Sequence, residues 1–179
     1  MKKFMIALVI AITALSCDTD NPFAVSDDQV GPITRQTTMA ELDALFKSDS
    51  IVRPESLAGV IDSTQAVEVY DLTGQQLLSI QPKRDSLQKI KTIQIFDPRY
   101  TTEAGINLNS TFKDIQEAYT ISRIETMLSS VLIFVKEIDA YFTIDKKELP
   151  SDLRYDFEAK IEAVQIPDNA KVKYFILSW

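Results

Sequence analysis

Two stretches of sequence determine the predicted fold: PITRQTTMAELDALF at residues 32–46 and GINLNSTFKDIQEAY at residues 105–119. They match in register, with a Ser/Thr pair followed by an apolar, an acidic, an aliphatic and an aromatic residue. A Ser or Thr side chain can accept a hydrogen bond from an unpaired amide in the first helical turn, and the helix dipole favours an acid there. The match therefore predicts helices near residues 38–47 and 111–120, as parts of an internal repeat.

The predicted helix caps are Thr37 and Ser110, and the acids of the first turns are Glu41 and Asp114. Helical spacing also places three apolar side chains of each segment on one face. These are Met39, Leu42 and Phe46 in the first helix and Phe112, Ile115 and Tyr119 in the second.

Segments typical of strands follow both helices. The first half has them at residues 66–70, 75–80 and 90–96; the second half has them at residues 121–127, 131–136, 140–144 and 171–177, with a short helix near 151–157. The last strand corresponds by position to residues 90–96. The predicted fold class is α+β, with two similar helix-plus-antiparallel-sheet repeats at residues 31–100 and 101–179.

Residues 1–16 have the features of an export signal. Lys2 and Lys3 are followed by an apolar run from Phe4 to Leu15, which is shorter than the roughly 20 residues of a membrane-spanning helix. Cys17, the only cysteine, comes directly after this signal. The polar composition of residues 17–30 predicts a flexible tether between the signal and the first repeat.

The sequence Ala14-Leu15-Ser16-Cys17 resembles a lipobox, the cleavage site of bacterial lipoprotein signal peptides. The resemblance implies that Cys17 becomes the first residue and carries a diacylglycerol. It also implies a lipoprotein anchored in the bilayer of the cell envelope, for which we expect the outer membrane. Ala14 and Ser16 also fit an ordinary signal peptidase, which would leave the chain without lipid.

The order of helices and strands, with GINLNST at residues 105–111 opening the second helix, resembles uncharacterised bacterial lipoproteins. It also loosely resembles the small lipoprotein of the outer-membrane barrel-assembly machine and the β-lactamase inhibitor protein fold. Known members of those families bind proteins. The resemblance therefore implies a non-enzymatic envelope component that binds a protein or ligand, and another envelope protein is a candidate partner.

Composition excludes several kinds of site. The chain has no histidine, one cysteine and four glycines, so we expect no histidine-dependent nucleophile, no thiolate zinc site and no phosphate-binding glycine loop. No cofactor is expected. The formal net charge is −7, or −9 without Lys2 and Lys3, and this acidity disfavours nucleic acid as a partner.

Carboxylates leave one enzymatic alternative open, a glycan or cell-wall hydrolase that uses a pair of acids. The candidates are Glu137, Asp139 and Asp145, which lie near aromatic residues in the sequence. Acids that point outward from strands would explain the same pattern. Ser110 and Lys113 have the spacing of a Ser-Lys dyad, but Ser110 is better explained as a helix cap.

The last predicted strand is apolar on both faces. Phe175, Leu177 and Trp179 alternate with Val172, Tyr174 and Ile176. Either both faces are covered by the rest of the fold, or one of them is a binding surface.

Overall fold

The computed structural model of the protein describes residues 21–54, 65–84, 88–154, 156 and 160–179. These residues form twelve strands in the following order along the chain. They are β1 (Ala24–Val25), β2 (Gln29–Val30), β3 (Ile33–Thr34), β4 (Ser50–Val52), β5 (Val67–Tyr70), β6 (Gln76–Pro82), β7 (Ile90–Ile95), β8 (Thr101–Thr102), β9 (Ile121–Thr126), β10 (Ser130–Val135), β11 (Ala140–Asp145) and β12 (Val172–Ser178).

Eight strands form one antiparallel sheet in the order β4-β5-β6-β7-β12-β11-β10-β9. β12 lies in the middle of this sheet, where Leu177 is paired with Ile93 of β7 on one side and with Ala140 of β11 on the other. The other four strands form a small sheet in the order β3-β2-β1-β8, in which β1 and β8 run parallel.

The helices that the structure describes are short. They are α1 (Leu42–Leu45), which continues a 3₁₀ turn at Met39–Glu41, α2 (Phe112–Ala118) and α3 (Ser151–Arg154), with further 3₁₀ turns at Lys146–Glu148 and Ala163–Gln165. None of the described helices is long and apolar enough to cross a membrane.

The predicted α+β class with two helix-plus-sheet repeats is wrong. The protein is mostly β, with 40% strand and 17% helix. Strands from both halves of the chain join in a single sheet through β7 and β12, whose inward side chains are aliphatic and aromatic. The helices are too short to organise two separate units. The seven predicted strand segments are nevertheless all strands.

Both predicted helix starts exist, but each is capped one residue later than predicted. The caps are Thr38 and Thr111. The side chain of Thr111 accepts a hydrogen bond from the amide of Asp114, and the Asp114 carboxylate accepts one of 2.7 Å from the amide of Thr111. Glu41 accepts the corresponding hydrogen bond of 2.7 Å from the amide of Thr38.

The predicted caps instead close the turn before each helix. The hydroxyl of Thr37 accepts a hydrogen bond from the amide of Thr34, and that of Ser110 accepts one from the amide of Asn107. A Ser/Thr pair thus satisfies two successive sets of backbone groups, which is why either member of the pair could be taken for the cap.

One face of the large sheet, the inner face, is buried beneath α1, α2 and the small sheet. Phe142 and Phe175 are both fully buried at its centre, with ring centroids 4.7 Å apart. Leu42 of α1 and Ile115 of α2 are fully buried in the same core. The predicted apolar faces of the two helices therefore pack on the inner face of the sheet.

The tether is shorter than predicted. Val25 in β1 and Val30 in β2 are buried and belong to the main core, so the part of the predicted tether from residue 24 onward belongs to the folded domain. The predicted signal peptide at residues 1–16 and the predicted lipidation site Cys17 lie outside the described residues. The division of the domain at residue 100 stays a prediction.

Candidate functional site

The outer face of the large sheet changes character from one side to the other. On β5, β6 and β7 it is polar, as expected for an antiparallel sheet with one face in water. Glu68 on β5 accepts hydrogen bonds from Gln76 and Ser79 on β6, at 2.8 Å for the Ser79 hydroxyl. Gln94 on β7 is paired with Ser79 and continues this polar surface.

On β10, β11 and β12 the same face is apolar apart from Thr143, which is buried between its strand partners Leu132 and Tyr174. Its side chains lie outside the main core, and we name them the outer apolar patch: Leu132, Phe134, Tyr141, Tyr174 and Ile176. The strand register makes them neighbours, because Phe134 is paired with Tyr141 and Tyr141 with Ile176. Apolar surface of this kind on a folded domain is typical of a binding site.

Aromatic rings and a guanidinium group form one end of the patch. The rings of Phe134 and Tyr141 have centroids 5.1 Å apart. Arg123 on β9 is paired with Phe134, and its guanidinium carbon lies 3.7 Å from the Phe134 ring centroid. Partial burial raises the pKa of Tyr141 above its ordinary value, so its phenol is neutral and can donate a hydrogen bond.

A cleft of about 280 Å³ opens at this end, between the strands and the loop that joins β10 to β11. Arg123, Phe134, Tyr141 and Asp139 contribute to its lining. Charged groups thus border an aromatic floor. Aromatic and arginine side chains are the ones that contribute most to binding at protein interfaces, where a polar rim surrounds an apolar centre.

Asp139, a candidate catalytic acid, forms hydrogen bonds through both its side chain and its backbone. Its carboxylate accepts a 2.7 Å hydrogen bond from Arg35, and its backbone amide donates to the carboxylate of Asp27 at 2.8 Å. Its carbonyl accepts a hydrogen bond from the amide of Ser178. Asp139 therefore joins the N-terminal segment to the β10–β11 loop.

The other two candidate acids are held in the same manner. Hydrogen bonds from the side chain and amide of Thr120 keep the pKa of Glu137 below its ordinary value. A hydrogen bond from Lys173, with a second from the amide of Lys147, lowers the pKa of Asp145. A glycosidase needs one acid that is protonated near neutral pH, and these environments favour the ionised form.

The positions of Asp139 and Asp145 also separate these two acids. Asp139 directly precedes β11 and Asp145 is its last residue, so the two lie at opposite ends of the strand. A rise of about 3.3 Å per residue places their backbones roughly 20 Å apart, well beyond the roughly 5–9.5 Å of glycosidase carboxylates.

Ser110 and Lys113 do not form a dyad. The Ser110 hydroxyl accepts from the amide of Asn107, while the Lys113 ammonium group lies 3.7 Å from the carboxylate of Glu117. The described residues also contain no group of three acidic, histidine or cysteine side chains arranged to hold a metal ion.

A second cluster of charges, around Arg99, fastens loops together. The Arg99 guanidinium lies 2.7 Å from the carboxylate of Asp97 and 3.1 Å from that of Asp71, and its carbon is 4.4 Å from the Phe23 ring centroid. The hydrogen bonds from Arg99 hold the pKa of Asp97 below its usual value. This cluster joins the β5–β6 turn to the loop after β7 and the N-terminal segment.

The final strand follows the predicted alternation over part of its length. Phe175 and Leu177 are buried on the inner face, while Tyr174 and Ile176 lie on the outer face. Val172 is buried opposite Ile144 rather than lying with Tyr174, because the register shifts between β11 and β12 at that point.

Sequence reasoning missed Arg123, which borders the cleft. The alternation of the charged residues Arg123 and Glu125 with the aliphatic Ile124 could have placed it on the outer face of an edge strand. Its position over Phe134, however, depends on the pairing between β9 and β10.

The crystal structure of the uncharacterized protein yfeY from Escherichia coli is similar to this chain. The match covers 87% of this chain and 99% of the yfeY chain, with a TM-score of 0.57 and 13% sequence identity. No protein-family model and no curated protein matches the chain. At this level of identity, the likeness to yfeY shows a shared fold alone.

Proposed function

We propose that the protein is a lipid-anchored component of the bacterial cell envelope that binds another protein through the outer apolar patch. The observation that carries this proposal is the contrast between the two halves of one sheet face. The β5–β7 half is polar, whereas the β10–β12 half exposes aliphatic and aromatic side chains. Nothing in the fold of a single domain requires that difference, but a protein partner that packs on the patch explains it.

Charges around the patch support a protein partner. Arg123 and Glu125 form an ion pair of 2.8 Å at one side, and Lys173 and Asp145 form another of 2.8 Å at the end of β11. An apolar centre with a charged rim is the usual arrangement of a protein interface. The rim sets the orientation of the partner, and the aromatic side chains provide most of the affinity.

The anchor is proposed from the sequence Ala14–Cys17, and the fold determines its reach. Because β1 begins at Ala24, only residues 18–23 separate Cys17 from the folded domain. Six extended residues span at most about 20 Å. A tether of this length would keep the nearest part of the folded domain within about 20 Å of the bilayer.

A substitution at the anchor tests the localisation. Cys17→Ala should release the protein from the membrane pellet into the soluble envelope fraction, because the diacylglycerol provides the membrane affinity. Ser16→Ala, which keeps the cysteine and a small residue before it, is the control. A Cys17→Ala variant that sediments with membranes as completely as the parent would exclude the lipid anchor.

Site-specific photocrosslinking tests the binding surface. A photoreactive amino acid in place of Tyr174, which is 38% exposed on the patch, is compared with the same amino acid in place of Leu72, which is 86% exposed in the β5–β6 turn. We expect a discrete protein adduct, identifiable by mass spectrometry, from position 174 and none from position 72. Equal labelling from both positions, or none from position 174, would refute the proposed surface.

A further inference from the structure

In the part of the chain that the structure describes, β9 is one of the two edge strands of the large sheet. Among the described residues, β9 pairs with β10 on one side and has no strand on the other. An open edge leaves backbone N–H and C=O groups ready to pair with another strand. Folded proteins block such edges or use them for association.

The hydrogen-bond pattern identifies the outward groups. The amide of Met127 donates to the carbonyl of Ser130, which makes this pair a hydrogen-bonded one. In an antiparallel ladder, hydrogen-bonded and non-hydrogen-bonded pairs alternate. Ile124, three residues before Met127, is paired with Ile133, and this pair is therefore a non-hydrogen-bonded one. The N–H and C=O groups of Ile124 therefore point away from β10, toward the open edge.

The two side chains that flank Ile124 carry opposite charges, so this part of β9 is complementary to a second copy of itself. Arg123 and Glu125 lie on the outer face, with side chains 58% and 48% exposed. If a second β9 pairs antiparallel with the first about a two-fold axis at Ile124, Arg123 of each copy stands opposite Glu125 of the other. These residues then form non-hydrogen-bonded pairs, in which side chains approach most closely, and opposite charges there stabilise the pairing.

The existing contacts of Arg123 are compatible with this pairing. Its guanidinium stacks on Phe134 through one face and contacts Glu125 through Nε. A guanidinium has five N–H donors in its plane, so donors remain for a carboxylate at the edge. Ser122 and Thr126, which stand opposite each other in the same register, are small and polar.

We propose that two copies of this chain associate through antiparallel pairing of β9 about Ile124, which extends the large sheet across both. This inference goes beyond the proposed partner binding. The two-fold axis is perpendicular to the sheet and keeps the same face outward in each copy. The two outer apolar patches then lie on one side of a continuous sheet.

Charge exchange provides the test. Two differently tagged full-length copies are expressed in the same cells, membranes are solubilised with detergent, and capture of one tag is measured by the yield of the other. The unmodified copies should capture each other. Arg123→Glu alone or Glu125→Arg alone places like charges opposite each other twice, and should lower self-capture by about tenfold or more.

Restoration distinguishes charge pairing from damage to the fold. A cell that expresses one Arg123→Glu copy and one Glu125→Arg copy should recover capture, and so should a pair of copies that carry both changes. Either recovery requires folded protein. Failure of the unmodified copies to capture each other overturns the proposal, as does a single variant that self-associates like the parent. Absence of recovery in the mixed pair also overturns it.

Discussion

Arg35 donates a hydrogen bond of 2.7 Å from Nη2 to Oδ2 of Asp139, across 104 positions of sequence. The same guanidinium donates to the backbone carbonyl of Asp27 at 2.8 Å, and the indole of Trp179 donates to that carbonyl at 2.9 Å. Three distant parts of the chain therefore meet at Asp27: the N-terminal segment, the β10–β11 loop and the residue after β12.

Replacing Arg35 by Met should destabilise the protein by about 1 to 2 kcal/mol, because it removes hydrogen bonds to a backbone carbonyl as well as ion pairs. Arg53→Met is the matched control. Arg53 has a similar exposure and pairs with Asp43 at 2.7 Å, but this surface pair should contribute less than about 1 kcal/mol. Urea unfolding of both variants gives the comparison, and equal losses would contradict the role assigned to Arg35.

The capping box of α2 should behave as one unit. Thr111→Ala and Asp114→Ala should each cost about 1 kcal/mol of unfolding free energy, since each removes one half of the cap. The double variant should lose less than the sum, because the Thr111 hydroxyl also donates a hydrogen bond of 2.9 Å to the Asp114 carboxylate, and either change alone removes that shared bond. Glu117→Ala, on the exposed side of the same helix, should stay within about 0.5 kcal/mol. Full additivity in this cycle would show that the two residues act separately.

The two faces of the sheet should respond differently to the same substitution. Phe142→Ala on the inner face should cost about 3 to 5 kcal/mol, because it leaves a cavity beside Phe175 in the core. Phe134→Ala on the outer face should cost only about 1 to 2 kcal/mol, and it should reduce the photocrosslinked adduct at Tyr174. If both variants lose equal stability, the outer patch belongs to the core of the domain.

Stability should fall in acid, and Asp145 should contribute to that fall. Its carboxylate has a lowered pKa in the folded protein because Lys173 and the amide of Lys147 donate to it. This contribution is complete above the unfolded pKa of about 3.9 and is lost as the pH falls through the lower folded pKa. Asp145→Asn should therefore be less stable than the parent at pH 7, with a gap that narrows as the pH falls toward about 2.

Lys173→Met provides the check on this assignment, since it removes the same ion pair from the other side. The unfolding free energy of Lys173→Met, like that of Asp145→Asn, should depend less on pH than that of the parent. A gap between parent and Asp145→Asn that widens in acid would contradict the direction of the shift.

Local patterns in the sequence predicted the strands well. Alternation of inward and outward side chains is a property of a few consecutive residues, so segments such as 140–144 could be recognised without their neighbours. The joining of two halves into one sheet could not be recognised. The pairing of Ile93 with Leu177 links residues far apart in sequence, and any other aliphatic strand would have matched Ile93 equally well.

The N-terminal segment and the outer patch show two further limits. Asp, Asn, Ser and Pro dominate residues 18–28, and this composition concealed the buried Val25 and Val30, which contribute to the core through isolated side chains. The patch depends on register. Phe134 and Tyr141 lie near the candidate acids in the sequence, but only the pairing of β10 with β11 makes them neighbours and places them on the face opposite Phe142.

The central position of β12 has a consequence for how the protein is made. Within the large sheet, β12 alone connects the strands β4–β7 to the strands β9–β11. It is also the last of the described strands along the chain. During synthesis, the chain therefore carries two incomplete sheets with open edges until residues 172–178 have emerged. Pairing over such long separations is slow, and exposed edges favour aggregation. A chaperone that holds the chain unfolded until β12 has been made would protect this fold.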